Sequence, residues 1–304
     1  PRIFSIANSL NAATTSAGIF PQNRLDALYA YGDATWKDMV TVNASIRNDW
    51  NSTLTYPDGS GDYSYLYPSV GASWVFTELL QKNKSYDWLN FAKLRGSLGY
   101  TGAGTGIFAT TSGNYSLLGT PLLPSGTAFP QYGWGGYGLG NLNLQPMRAR
   151  EFEFGLDARM FNNRIRLDVA YYKKNTFNQI LNLGAPAESG TPSRQINAGN
   201  IQNQGIEAVV SATLVNKKNF EYTTTVNFTR NRNKVVDLYP GVSEVQLDLA
   251  FGADVQSVAR VGKDYGTIIT NYAYATNDKG ERVLNAAGQF IRSGSYGQGF
   301  KEIG

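Results

Sequence analysis

Apolar and polar positions alternate along this chain in runs too long for an ordinary soluble sheet. Phe152, Phe154, Leu156, Ala158 and Met160 are interleaved with Glu151, Glu153, Gly155, Asp157 and Arg159. After Asn162-Asn163 the pattern resumes, with Ile165, Leu167, Val169 and Tyr171 against Arg164, Arg166, Asp168 and Ala170. A period of two gives a strand one apolar face and one wet face. Soluble strands average about five or six residues, whereas these runs reach about nine to eleven, the length a tilted strand needs to cross a bilayer.

Similar runs predict strands at 24–34, 37–49, 66–76, 91–101, 205–214 and 220–230. In the first, Leu25, Ala27, Tyr29 and Tyr31 share a face; in the second, Val40, Val42, Ala44 and Ile46 oppose Thr41, Asn43, Ser45 and Arg47. Tight turns are expected after the first strand, at Asn162-Asn163 and at 216–219, with a medium turn over 77–90. Segments 50–65, 102–148, 175–204 and everything after Asn231 read as long loops. Loops above about 12–15 residues are uncommon in compact domains. Short turns alternating with long loops are what an outer-membrane barrel shows. The expected fold class is all-β, a partial transmembrane antiparallel β-barrel.

Composition narrows the chemistry. The 304 residues include no cysteine and no histidine. That excludes disulfides, the usual zinc ligand sets and histidine-activated nucleophiles. The net charge of +4 is small and its basic residues are scattered, which argues against nucleic acid. Charged residues are only 16% and aromatics 13%, a balance suited to a β protein in contact with lipid. No run of about 18 apolar residues offers a spanning helix. Pro1 opens without a basic start and an apolar stretch, so no signal peptide is read there. Trp36, Trp50, Tyr65, Tyr67, Trp88, Tyr171 and Tyr172 bracket the predicted strands, as interfacial aromatics do.

Three motifs that resemble catalytic or ligand sites do not carry that chemistry. Gly102-Ala103-Gly104-Thr105-Gly106 lacks the helix that a phosphate-cradling loop needs. Asp58-Gly59-Ser60-Gly61-Asp62 is too short for a calcium loop and has no terminal glutamate, so it reads as a turn. Glu151 and Glu153 sit two apart on a wet face and read as pore-facing charge rather than as a glycosidase pair. No catalytic residue, metal site or cofactor is expected. Tyr132, Trp134 and Tyr137, on a glycine-rich loop, are the candidates for contact with a substrate or a lid, because aromatic planes stack on sugars and grip peptide side chains.

Several segments carry a recognisable family pattern. They are Arg47-Asn48-Asp49-Trp50-Asn51-Ser52-Thr53-Leu54, Tyr67-Pro68-Ser69-Val70, Trp74-Val75-Phe76-Thr77-Glu78 and Trp88-Leu89-Asn90-Phe91-Ala92-Lys93-Leu94-Arg95-Gly96-Ser97. Further along come Leu144-Gln145-Pro146, Asp168-Val169-Ala170-Tyr171-Tyr172-Lys173-Lys174-Asn175-Thr176, Asn197-Ala198-Gly199-Asn200-Ile201-Gln202-Asn203-Gln204-Gly205-Ile206-Glu207 and Val261-Gly262-Lys263-Asp264-Tyr265-Gly266-Thr267. Together these segments resemble the SusC/RagA-like TonB-dependent outer-membrane transporters, and the resemblance implies that residues 1–304 are one segment of a barrel of about 22 strands, without the plug domain, the TonB box or the closing strands. It implies active import of oligosaccharides or peptides across the outer membrane of a Gram-negative bacterium. The partners would be a SusD-like surface lipoprotein and the TonB–ExbB–ExbD complex. Arg47, Lys93, Arg95, Glu151, Glu153, Arg166 and Glu207 are the candidates for lining the lumen. The alternatives are a passive porin or structural barrel, which would lack a plug, and a soluble carbohydrate-binding β protein, which would extract without detergent.

Overall fold

The computed structural model describes residues 22–302 apart from 57, 84–87, 108, 111–113, 120–123, 127–130, 136–140, 187, 189–190, 192, 251–254, 271–272, 280 and 294–300. For 81–83, 114–119, 131–135, 249–250, 273, 292–293 and 301–302 it describes the backbone alone. An eight-stranded antiparallel sheet forms from β1 (Leu25–Trp36), β2 (Val40–Asn51), β3 (Ser64–Val75), β4 (Leu89–Ala103), β7 (Met147–Met160), β8 (Ile165–Gly184), β9 (Ser193–Lys217) and β10 (Phe220–Asp237). Strands next to one another in this order are paired, and the hairpin β5 (Asn114–Gly119) with β6 (Gln131–Gly135) lies between β4 and β7 in sequence. A second sheet joins β11 (Glu244–Ala250), β12 (Val255–Arg260), β13 (Thr267–Thr270) and β16 (Lys301–Glu302), and β14 (Ala273–Tyr274) pairs with β15 (Arg292–Ser293).

The short connections follow from backbone chemistry. Lys37 and Asp38 have positive φ, as do Phe161, Asn162 and Asn163. Consecutive left-handed residues make turns whose twist matches the flanking strands, and asparagine adopts this conformation at low cost.

Directly paired residues share a face, so the register sorts every strand into two sets. One row of apolar-face partners runs Ala34, Val42, Ala72, Gly96, Phe154, Tyr171, Ile206, Arg230 across all eight strands. It begins on alanine and ends on arginine, and the reason is geometric. On β1 the first charged side chain of this face is Asp26, eight residues beyond Ala34, or about 26 Å along the strand. Seven strand spacings separate β1 from β10, about 34 Å. The border of the apolar band therefore crosses the ladder at roughly 40°, the tilt of strands in membrane barrels. Asn48 on β2, Arg150 on β7 and Lys173 on β8 fall near the same line. The turns at the opposite end step in parallel with it. The band spans Leu28 to Trp36 on β1 and Phe220 to Phe228 on β10, equal lengths of strand at opposite edges of the sheet. A tilted slab of constant thickness accounts for both.

Several loops expected from sequence are ordered. Residues 175–204 are mostly strand, because β8 runs to Gly184 and β9 starts at Ser193. Residues 102–148 contain the β5–β6 hairpin, the region after Asn231 adds further strands, and 77–90 contains a helix, Thr77–Asn83. Beyond the apolar band the strands are packed by other parts of the chain, with Ile180 against the Leu54–Leu144 cluster and Leu181 and Leu183 against the Val235 cluster, so no simple period of two marks the extension. Val235, Leu238, Val245 and Ala259 form a buried cluster that attaches the second sheet, with Leu181 and Leu183 packed against it. Val235 is in register with Ile201 and Thr176 on the polar face, so this sheet docks on that side.

Candidate functional site: a charged wall and its collar

The polar face carries charged rows built from partners distant in sequence. In one row Lys93, Asp157 and Asp168 are consecutive partners; in the next, Arg95 faces Gly155, Ala170 and Glu207. Two carboxylates directly opposite each other repel, and each of these meets a cation. Lys93 Nζ lies 3.7 Å from Asp157, and Arg95 Nη2 donates to Asp168 Oδ1 at 2.8 Å. Arg95 Nε also donates to Glu153 at 3.4 Å, and Lys174 lies 3.8 Å from Glu151.

Arg95 reaches two strands away because the residue between carries no side chain. A Cβ on Gly155 would sit 2.7 Å from the Arg95 Nε and Cζ. The same device recurs at Gly205, where a Cβ would meet the Tyr172 hydroxyl at 2.7 Å and the Arg230 carbonyl oxygen at 2.5 Å. Tyr172 lies across Gly205 and donates to Asn231 Oδ1 at 3.0 Å. Glycine weakens a strand interior; here it lets long side chains lie flat against the wall.

At the end bearing the long connections a collar closes over this face. Asn51 caps the turn Ser52–Leu54, its Oδ1 accepting from Thr53 N at 3.0 Å and Thr53 Oγ1 at 2.8 Å. Leu54 and Leu144 are fully buried together with Tyr65 and Ala109. Tyr56 donates to the Leu144 carbonyl at 3.0 Å; burial raises the phenol above its ordinary range, with Asp62 adding to the effect. Asn197 holds the collar to the β8–β9 arm. Its Nδ2 donates to the Gln145 carbonyl at 2.8 Å and the Asn178 carbonyl at 3.1 Å, and its Oδ1 accepts from Gln145 N at 2.7 Å. Arg47 Nε donates to Asp49 at 2.7 Å, and the Tyr67 hydroxyl donates to the same carboxylate. Val235 N donates to the Lys263 carbonyl and Gly262 N to the Val235 carbonyl, both at 2.8 Å, so 261–267 ties the second sheet to β10.

All seven charged candidates from the sequence lie on the polar face by register. Arg95 touches Glu153; Lys93, Glu151 and Arg47 pair with Asp157, Lys174 and Asp49. Arg166 and Glu207 make no ion pair among the described residues. Arg164 lies in the turn before β8 and donates to the carbonyls of Thr213 and Leu214. Tyr132 and Trp134 are on β6, in register with Leu117 and Tyr115, but their side chains and the whole of Tyr137 lie outside the described residues. Asp58 Oδ1 accepts from Ser60 N at 2.9 Å and Ser60 Oγ at 2.7 Å, which makes that segment a side-chain-stabilised turn. Sequence reading missed Asp49, Tyr67 and Asn197 because their roles depend on partners far along the chain.

An antiparallel sheet with a tilted apolar band on one face and paired charges on the other is a wall of a membrane β-barrel. The chain belongs to the TonB dependent receptor-like, beta-barrel family, whose profile matches residues 3–299. TonB-dependent receptor P39 of Formosa agariphila is 28% identical over 76% of this chain and 21% of its own length. TonB-dependent receptor P26 of the same organism is 30% identical over 69% of this chain and 20% of its own. The chain thus spans about a fifth of the curated relatives it matches. Among solved structures it superposes on the RagAB peptide importer in its closed-closed state with a TM-score of 0.68 and 19% identity, over 92% of this chain and 30% of that one. At that identity the likeness is one of fold.

Proposed function

We propose that this segment forms part of the conduit wall of an outer-membrane importer, of the SusC kind, for oligosaccharides or peptides. The single observation that carries this reading is the membership of nearly the whole chain in the TonB-dependent receptor barrel family. The paired polar face supports it. Lys93–Asp157, Arg95–Asp168 and Lys174–Glu151 leave a wet surface rich in hydrogen-bonding groups and balanced in charge, which suits an uncharged or mixed-charge oligomer better than a small anion. In this reading Arg47, Lys93, Arg95, Glu151, Glu153, Arg166 and Glu207 face the lumen, and energy enters through TonB. A SusD-like lipoprotein sits on the collar, with Tyr132, Trp134 and Tyr137 toward it or the substrate. Membership in the TonB-dependent receptor barrel family favours this reading over a passive porin.

The test uses the intact gene in its host. Deleting it should abolish growth on one oligosaccharide or peptide mixture, and affinity purification should recover a lipoprotein encoded with it. Uptake that persists after loss of TonB would support the porin reading instead.

A further inference from the structure

Two buried side-chain oxygens meet no hydrogen-bond donor: Oε1 of Gln179 on β8 and Oε1 of Gln195 on β9. Among the described residues no other buried side-chain nitrogen or oxygen lacks a partner. A buried acceptor without a donor keeps its full desolvation penalty, so folded proteins rarely leave two in one place. Asn197, on the same arm, shows the usual outcome, for both ends of its amide are bonded.

Both glutamines line one cavity of about 380 Å³, within the range of small-molecule pockets, about 300–1,000 Å³. It lies where three parts of the chain meet. The β8–β9 arm brings the glutamines, the chain just past β4 brings Thr105, and the 261–267 segment brings Tyr265. Asn182 stands directly opposite Gln195 in register, and it and Thr105 add groups that both donate and accept. Leu181 and the Tyr265 ring supply apolar surface. Burial raises the Tyr265 phenol above its ordinary range, which keeps it neutral. None of the described residues lining the cavity is charged.

We infer that this cavity binds a neutral sugar unit whose hydroxyls donate to Gln179 and Gln195. The lining selects that class. An anion would meet unmatched acceptors and no cation, and an ammonium group would find no carboxylate. A hydroxyl donates and accepts at once, and its hydrogen rotates to whichever acceptor is nearest. A pyranose carries hydroxyls all round its rim, so one ring serves amides that arrive from neighbouring strands. A peptide backbone brings one fixed carbonyl for every N–H, and so adds acceptors where donors are lacking. Rotation about the terminal amide torsion, which is soft, turns each glutamine oxygen to the cavity. Tyr265 and Leu181 then meet the C–H face of the sugar. The inference rests on the importer reading above only for the source of the sugar, and its test measures binding without transport.

The test uses the full-length protein purified in a sugar-free detergent, with titration calorimetry as readout. The probes are neutral trisaccharides of glucose, mannose, galactose and xylose, and N-acetyl-trialanine amide as the peptide. Wild-type protein should bind at least one trisaccharide saturably and prefer it to the peptide. Q179L/Q195L should bind that sugar about twentyfold more weakly, roughly fivefold for each hydrogen bond lost. K217Q, at the opposite end of β9, should bind like wild type. The collar of Q179L/Q195L should resist protease at least as well as wild type, because an unmatched acceptor has been removed. If the double variant fails to assemble, as judged by heat-modifiable migration, Q195L alone should weaken binding about fivefold. Absence of trisaccharide binding, equal binding by variant and wild type, preference for the peptide, or a collar cut faster in the variant would each overturn the inference. Sugar uptake that persists without TonB would instead sink the importer reading and leave the site standing.

Discussion

Arg95 on β4 grips Asp168 on β8 by lying across Gly155, the residue that separates them on β7. Partners 73 residues apart in sequence are brought together by register, and one glycine clears the path.

This geometry predicts a difference between two glycines. Gly155→Ala displaces the flexible Arg95 side chain and weakens a wet ion pair, so it should cost less than about 1 kcal/mol. Gly205→Ala meets the backbone carbonyl of Arg230, which cannot swing aside, and should cost about 1–3 kcal/mol. Denaturant unfolding of the assembled barrel in detergent measures both. Equal costs, or the reverse order, would refute the view that the backbone contact dominates.

A second prediction concerns the collar. Asn197→Ala removes two donated hydrogen bonds and one accepted bond to the chain around Gln145 and Asn178. The cost should be about 1–3 kcal/mol, confined to the collar. Limited proteolysis should cut residues 141–147 faster while the barrel keeps its heat-modifiable migration. Unchanged cleavage there would show that buried Leu144 holds the segment without the asparagine.

The tilted apolar band makes a third. Leu167 lies in the apolar-face row with Ala158 and Val210, well inside the border. Arginine there should cost about 2–4 kcal/mol. Asp168→Asn, on the opposite face, should cost under about 1 kcal/mol because its ion pair is half-exposed. Comparable losses at both positions would mean that the faces are assigned wrongly.

The fourth tests the connection between β4 and β7. Deleting residues 128–138 should leave assembled barrel in the membrane, because loops tolerate change that the scaffold does not. It should also reduce uptake of the cognate oligomer or retention of the lipoprotein. Normal uptake with normal lipoprotein retention would remove Tyr132, Trp134 and Tyr137 from the site.

What the sequence determined is the part of the fold on which water and lipid act differently. Inside the bilayer one side of each strand meets hydrocarbon and the other meets water, so alternation such as Phe152, Phe154 and Leu156 against Glu151 and Glu153 declares both the strand and its faces. The turn at Asn162-Asn163 was legible because asparagine tolerates positive φ. The motifs around Asn51, Leu144 and Asn197 marked the family, yet not their role as collar contacts. Only the tertiary structure decided that residues 175–184 and 193–204 continue their strands, because neighbouring residues such as Ile180 and Leu181 are packed by two different clusters and no single period of two survives. It alone set the stagger of the ladder, which makes Asp26 and Arg230 two points on one tilted border. Pairings such as Arg95 with Asp168, and Tyr56 with Leu144 at a separation of 88 residues, follow from that stagger and from the packing of the collar. Local residue patterns carry the preference of each side chain for oil or water, whereas register depends on how whole strands slide against one another.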